Sequence, residues 1–209
     1  LALDWARRFP GSWFMELQRS GQADAEAINF GVSATGPPQY YYRIRDVGLR
    51  LKPDVIVEMP KPFQLPAKGT VNYKFVVVKT NFDRDMWVTA AEMRPGNAEV
   101  LHHGKVWVLP PGSKWMADAE PGKPYESRET GRVSLGDGND IIGKFNPGLG
   151  AQTFDIGGSA KLIPKGSDFV FELHYTAAGQ ITTDQSKVGI VLAKSRPNVR
   201  YFLSPGTPA

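Results

Sequence analysis

The sequence predicts an all-β chain: an antiparallel jelly-roll β-sandwich with an irregular N-terminal extension that includes short helical turns. Three observations predict it. From Pro53 onward, strand-length runs rich in Val, Ile, Phe, Tyr and Trp are cut at short intervals by proline, glycine and asparagine. One of these runs places Val71, Tyr73, Phe75 and Val77 at alternate positions, the two-residue period of a strand with one face buried. A chain of 209 residues is also long enough to bury one sizeable core.

The elements follow in order. Residues 1–45 read as an extension, either an arm packed on the main body as an interaction surface or a linker. Within it, Ser12 is a candidate cap for a short helix over Trp13–Leu17, Ala23–Ala27 a candidate turn, and Ala34-Thr-Gly-Pro-Pro38 a break before Tyr40-Tyr-Tyr42. Residues 46–203 form the jelly roll. Its strands are expected at 54–59, closed by Pro60 and Pro62, then at 70–79, 86–93 and 99–109, the last stopped by Pro110-Pro-Gly112. Residues 111–150 hold many glycines and few periodic apolar positions, and are expected to form a long loop of the kind that is functional or mobile. Within it, Gly136-Asp-Gly-Asn-Asp140 reads as a surface turn, since it lacks the spacing and terminal glutamate of a calcium loop. Strands resume at 160–163, 168–176, 187–194 and 199–203. Residues 204–209, Ser-Pro-Gly-Thr-Pro-Ala, have linker composition and are expected to begin the connection to a second domain.

The formal net charge is only +4, and the basic residues are scattered, so a nucleic-acid footprint is not expected. With no cysteine there is no disulfide framework, no thiolate metal site and no cysteine nucleophile. No apolar run reaches the length of a transmembrane helix.

The chain has three histidines, two adjacent in Leu101-His-His-Gly104 and the third in Phe169-Val-Phe-Glu-Leu-His-Tyr175. Neutral imidazole donates a lone pair near neutral pH without burying a charge, which suits copper and zinc. Successive side chains of a regular strand point to opposite faces, so His102 and His103 cannot both reach one ion unless the strand is irregular. Either a bulge re-aims one of them, with Gly104 as the residue that relaxes the backbone, or only one binds. Glu172 lies two residues before His174 and shares its face of the strand.

Several stretches, in order, resemble the copper type II, ascorbate-dependent monooxygenases, the family that includes peptidylglycine alpha-hydroxylating monooxygenase. They are Val55-Ile-Val-Glu-Met-Pro60, Asn72-Tyr-Lys-Phe75, Leu101-His-His103, Leu162-Ile-Pro-Lys-Gly166, Phe171-Glu-Leu-His-Tyr175 and Ser186-Lys-Val-Gly-Ile-Val191. Met93-Arg-Pro-Gly-Asn97 is similar to the bacterial branch. The resemblance spans about residues 46–200 and is to the first of the family's two jelly-roll domains.

It implies one copper held by His102, His103 and His174, with Tyr73 where the family has a tyrosine near that copper. Glu172 stands where the animal enzyme has a glutamine. It reads either as a carboxylate that hydrogen-bonds a ligand imidazole or as a solvent-facing strand residue. In this family the first copper takes an electron from ascorbate or another reductant and passes it on, and a second domain carries the copper that binds dioxygen. No His-x-His pair remains here for a second copper, so the expected partner is a second copper-binding domain or subunit. The resemblance also implies a periplasmic or extracellular protein. Two other readings start from the same histidines. One is a non-enzymatic copper carrier or interaction subunit. The other is a mononuclear zinc hydrolase with Glu172 as base.

Overall fold

The computed structural model describes residues 25–29, 40–44, 51–69, 71–126, 140–147 and 149–202. Among these there is no helix. In chain order the strands are β1 (Ala25–Asn29), β2 (Tyr40–Ile44), β3 (Val55–Glu58), β4 (Phe63–Leu65), β5 (Lys74–Val78), β6 (Met86–Arg94), β7 (Leu101–Leu109), β8 (Pro124–Tyr125), β9 (Asp140–Phe145), β10 (Gln152–Thr153), β11 (Ser159–Ile163), β12 (Asp168–Tyr175), β13 (Thr182–Asp184), β14 (Lys187–Leu192) and β15 (Val199–Arg200).

Eight of them make a jelly roll. Antiparallel pairs nest from the outside inward: β3 with β14, β5 with β12, β6 with β11, and β7 with β9. Folding that nested hairpin over itself yields two sheets, with strand orders β15-β11-β6-β14-β3 and β8-β5-β12-β7-β9. The short β10 adds to β6 in the first sheet, and β13 pairs with β4 in a separate two-stranded ladder. One pairing departs from the antiparallel expectation, because β15 runs parallel to β11.

The period of two puts one side of each strand into the core between the sheets. From the five-stranded sheet come Val76, Val78, Val106, Val108, Phe169, Phe171 and Leu173, and from the other Val57, Val88, Met93, Ile163, Val188 and Ile190, all buried. The opposite face of the five-stranded sheet is divided. At one end Phe75, Val77, Trp107 and Val170 lie under Met116, Trp115 and Ala119 in a second, smaller apolar cluster. The other end carries the histidines.

Four expectations are corrected. Residues 25–27, read as a turn, belong to β1, which pairs with β2 from Ala25↔Ile44 to Asn29↔Tyr40; ladder pairing overrides the weak local helical preference. Val71 does not share the face of Tyr73, Phe75 and Val77, because the strand starts at Lys74 and Val71 turns into the main core. Residues 111–150 hold β8 and β9 and the apolar lid over Trp107, so they are not one long loop. Asp140 is no surface-turn residue: it opens β9 and is buried. Trp13–Leu17 with its cap, Ala34–Pro38 and residues 204–209 lie outside the described residues.

Asp140 meets Lys161 across the end of the sandwich. Lys161 Nζ donates to Asp140 Oδ1 at 2.6 Å, with the rings of Phe154 and Tyr201 centred 5.1 and 5.3 Å from the ammonium. Burial pushes the lysine pKa down, and the hydrogen bond and charge of Asp140 oppose that shift. Replacing Asp140 with Ala would leave the ammonium buried without its partner and should cost about 3–5 kcal/mol in urea denaturation. A loss under about 1 kcal/mol would show that the pair is dispensable.

Candidate metal centre

The problem posed by adjacent histidines is solved by one extra residue. Along β12 and β7 the partners run regularly from Asp168↔Leu109 to His174↔His103, and the next pair is Tyr175↔Leu101. Two steps on β7 therefore oppose one step on β12, and His102 is the additional residue of a β-bulge. Leu101 and Tyr175 stay in the main core, while His102 and His103 both emerge on the outer face beside His174. Gly104 serves a different purpose from the one expected. It pairs regularly with Leu173, and a Cβ there would lie 2.5 Å from Met93 Cε, so its bare backbone makes room for Met93 beneath β7.

The three Nδ1 atoms form an equilateral triangle. His102 to His174, His103 to His102 and His174 to His103 are each 3.3 Å. The point equidistant from the three is 3.3 Å divided by √3, about 1.9 Å, from each nitrogen, and a slight rise out of the plane reaches the ~2.0–2.1 Å of a metal–imidazole bond. Hydrogen bonding among the rings cannot explain this convergence. A neutral imidazole offers at Nδ1 either a proton or a lone pair, so a closed triangle always sets at least one pair like against like, lone pair to lone pair or proton to proton. A cation accepts all three. Among the described residues this is the one group of three or more candidate ligands close enough to share an ion.

Tyr73 braces the triangle from the neighbouring strand end. Its ring stacks on His174, centroids 4.5 Å apart and planes 4° from parallel, and its Oη lies 2.9 Å from His103 Nε2. With the His103 Nδ1 lone pair turned inward, the ring proton sits on Nε2 and is donated to Tyr73 Oη, an outer contact of the kind that fixes a ligand tautomer.

Glu172 is neither solvent-facing nor bonded to an imidazole. It is 7% exposed, with Oε1 accepting from Lys105 Nζ at 2.9 Å and Oε2 from Trp107 Nε1 at 2.7 Å. Both carboxylate oxygens are thus engaged beside the site, a poor arrangement for a base that must take a proton from water. Lys105 balances its charge, so the field of Glu172 at the imidazoles is smaller than that of a lone carboxylate.

Burial, then the charges of His174, His102 and Lys105, push the His103 pKa down to about 4, against a smaller upward pull from Glu172. Burial, followed by His102, also lowers that of His174. Both rings are therefore neutral near pH 7, with lone pairs available to a metal.

Sequence reasoning did not single out Lys105 or Trp107, although the two-residue period places them on the face of His103. Nor did it find the buried carboxylate of Asp184, which accepts from Tyr175 Oη at 2.8 Å. Burial and Asp184 raise the Tyr175 pKa, so its hydroxyl remains a donor.

The fold and site define an all-β jelly roll whose three-histidine group can hold a metal ion. No family model, curated protein or solved structure matches the chain.

The lowered pKa of His103 has a sign in stability. Between the ordinary 6.5 and about 4, the unfolded chain binds a proton that the folded chain refuses, so the penalty is absent above this window and grows as pH falls through it. The urea midpoint of the metal-free protein should fall across that range, and His103→Gln should make the decline shallower. Equal slopes would show that His103 titrates at its ordinary value.

Proposed function

We propose that this chain is the electron-accepting copper domain of a bacterial two-copper monooxygenase, exported to the periplasm or the cell exterior. The observation that carries the reading is the convergence of His102, His103 and His174 Nδ1 atoms at 3.3 Å on one point. The family resemblance of the stretches around those ligands supplies the choice of copper. Neutral nitrogen donors without thiolate suit a copper that changes oxidation state but is not of the blue type.

Bound there, copper supplies one-electron chemistry, with ascorbate or a similar small reductant as donor. The chain's own residues bind and orient. Three uncharged rings hold the ion, Tyr73 fixes the tautomer of His103, and the exposed His102 leaves one flank accessible to a reductant. Hydroxylation requires a second copper domain, since this chain has no further histidine. Zinc hydrolysis is disfavoured by the engagement of both Glu172 oxygens with Lys105 and Trp107.

The test is a copper titration with paramagnetic resonance. The expected result is about one Cu(II) per chain, with a signal lost on adding ascorbate and restored on reoxidation, and with binding weakened by Ala at each histidine. Unchanged stoichiometry in the triple variant would overturn the metal site, and a Cu(II) signal indifferent to ascorbate would favour a copper carrier over an electron-accepting domain.

A further inference from the structure

The strand ends that carry the three imidazoles meet at one buried carboxylate. Asp184, at the end of β13, is 1% exposed. Its Oδ1 accepts the backbone N–H of Asn97, and its Oδ2 accepts the hydroxyls of Tyr175 and Ser186, each at 2.8 Å. Tyr175 is the residue after His174. Asn97 closes the turn into β7, its carbonyl accepting the N–H of Leu101 at 3.2 Å, and Leu101 is the residue before His102. The turn also sits directly on the β13–β14 corner, because a Cβ on Gly96 would lie 2.6 Å from the backbone nitrogen of Gln185.

Leu101 and Tyr175 are the partners on the far side of the bulge. On its near side the register is held by the sheet, from His174↔His103 onward. Beyond His102 the two chains are joined by the Leu101–Tyr175 pair and by the N–H of Thr176 donating to the carbonyl of Val100 at 2.8 Å, and Asp184 adds a side-chain tie between the turn before Leu101 and the ring of Tyr175. A carboxylate suits this task because it accepts several charge-assisted hydrogen bonds at once and donates none.

Resting on the three-histidine reading, we propose that Asp184 is a positioning residue of the metal centre, bracing the far side of the His102 bulge so that the three Nδ1 atoms face one point. It touches no ligand ring. It acts through Tyr175 on His174, and through Asn97 and Leu101 on His102. Without it the backbone pairs on both sides of the bulge remain, and His102, the one residue there without a partner across the ladder, is the ring whose placement changes most.

The direct readout is the imidazole nitrogen spectrum of the metal-free full chain, which has three histidine spin systems. Asp184→Ala should shift the ring signals of His102 and His174. Asp184→Asn, which keeps an acceptor for Asn97, should shift them less. Ile163→Ala, at the far end of the sandwich where Ile163 pairs with Met86, should lower stability without moving them. In parallel, Cu(II) affinity should fall about 10–100-fold in Asp184→Ala and stay within about twofold in Ile163→Ala. If Asp184→Ala does not fold, Tyr175→Phe, which removes one of the three donors, takes its place, with a smaller shift of His174 expected. Ring signals that match the wild type in the folded variant would overturn the proposal. Failure of the wild type to bind copper would instead overturn the copper reading, and the ring spectra would still decide the role of Asp184.

Discussion

The candidate metal centre depends on one departure from regularity in an otherwise regular pair of strands. β7 and β12 face each other residue for residue through most of their length, and a single insertion at His102 changes the phase of everything before it. Without that step, Leu101 would share the outer face with His103, and His102 would point into the core. With it, an apolar residue and two imidazoles each reach the side that suits them. The bulge thus serves stability and chemistry together: it seals the core at Leu101 and assembles the triangle above it.

The chemistry around the triangle is balanced by pairing. Glu172 is neutralised by Lys105 and held by Trp107, and Tyr73 takes the outward nitrogen of His103. A metal here meets three uncharged donors and a compensated ion pair, so its own charge dominates the local field. Elsewhere the same economy holds. Lys161 and Asp140 close one end of the sandwich as a buried pair, and Arg94 and Glu92 form another on β6.

The parts of the fold legible in the sequence were those with local signals. Strands 86–94, 101–109 and 168–175 follow from β-branched and aromatic runs bounded by proline and glycine, and strand geometry alone reduces the His-His pair to two alternatives, a bulge or a single ligand. β9 escaped because it breaks its own pattern: Val106 pairs with Gly143 and Trp107 with Ile141, so Ile142 is skipped and the apolar positions 141, 142 and 145 carry no period of two. The lid over Trp107 is irregular chain that packs by tertiary contact, and no periodicity marks it. Asp184 was hidden for another reason. Two of its three partners are 87 and 9 residues away in the chain, and an aspartate before a strand ordinarily reads as a turn residue. Tyr73 was noticed through resemblance, but its reach to His103 across 30 residues is a property of the folded sheet.

The nested pairing also sets the order in which the molecule can assemble its three-histidine group. His102 and His174 are separated by 72 residues and meet only once β12 has docked between β5 and β7, the second-outermost closure of the roll. On a growing polypeptide the adjacent pair emerges long before its third member, and a loop of that size must be closed before the three can act together. An ion that needs all three donors would therefore find them only in the completed tertiary structure, and the immature chain would offer it two.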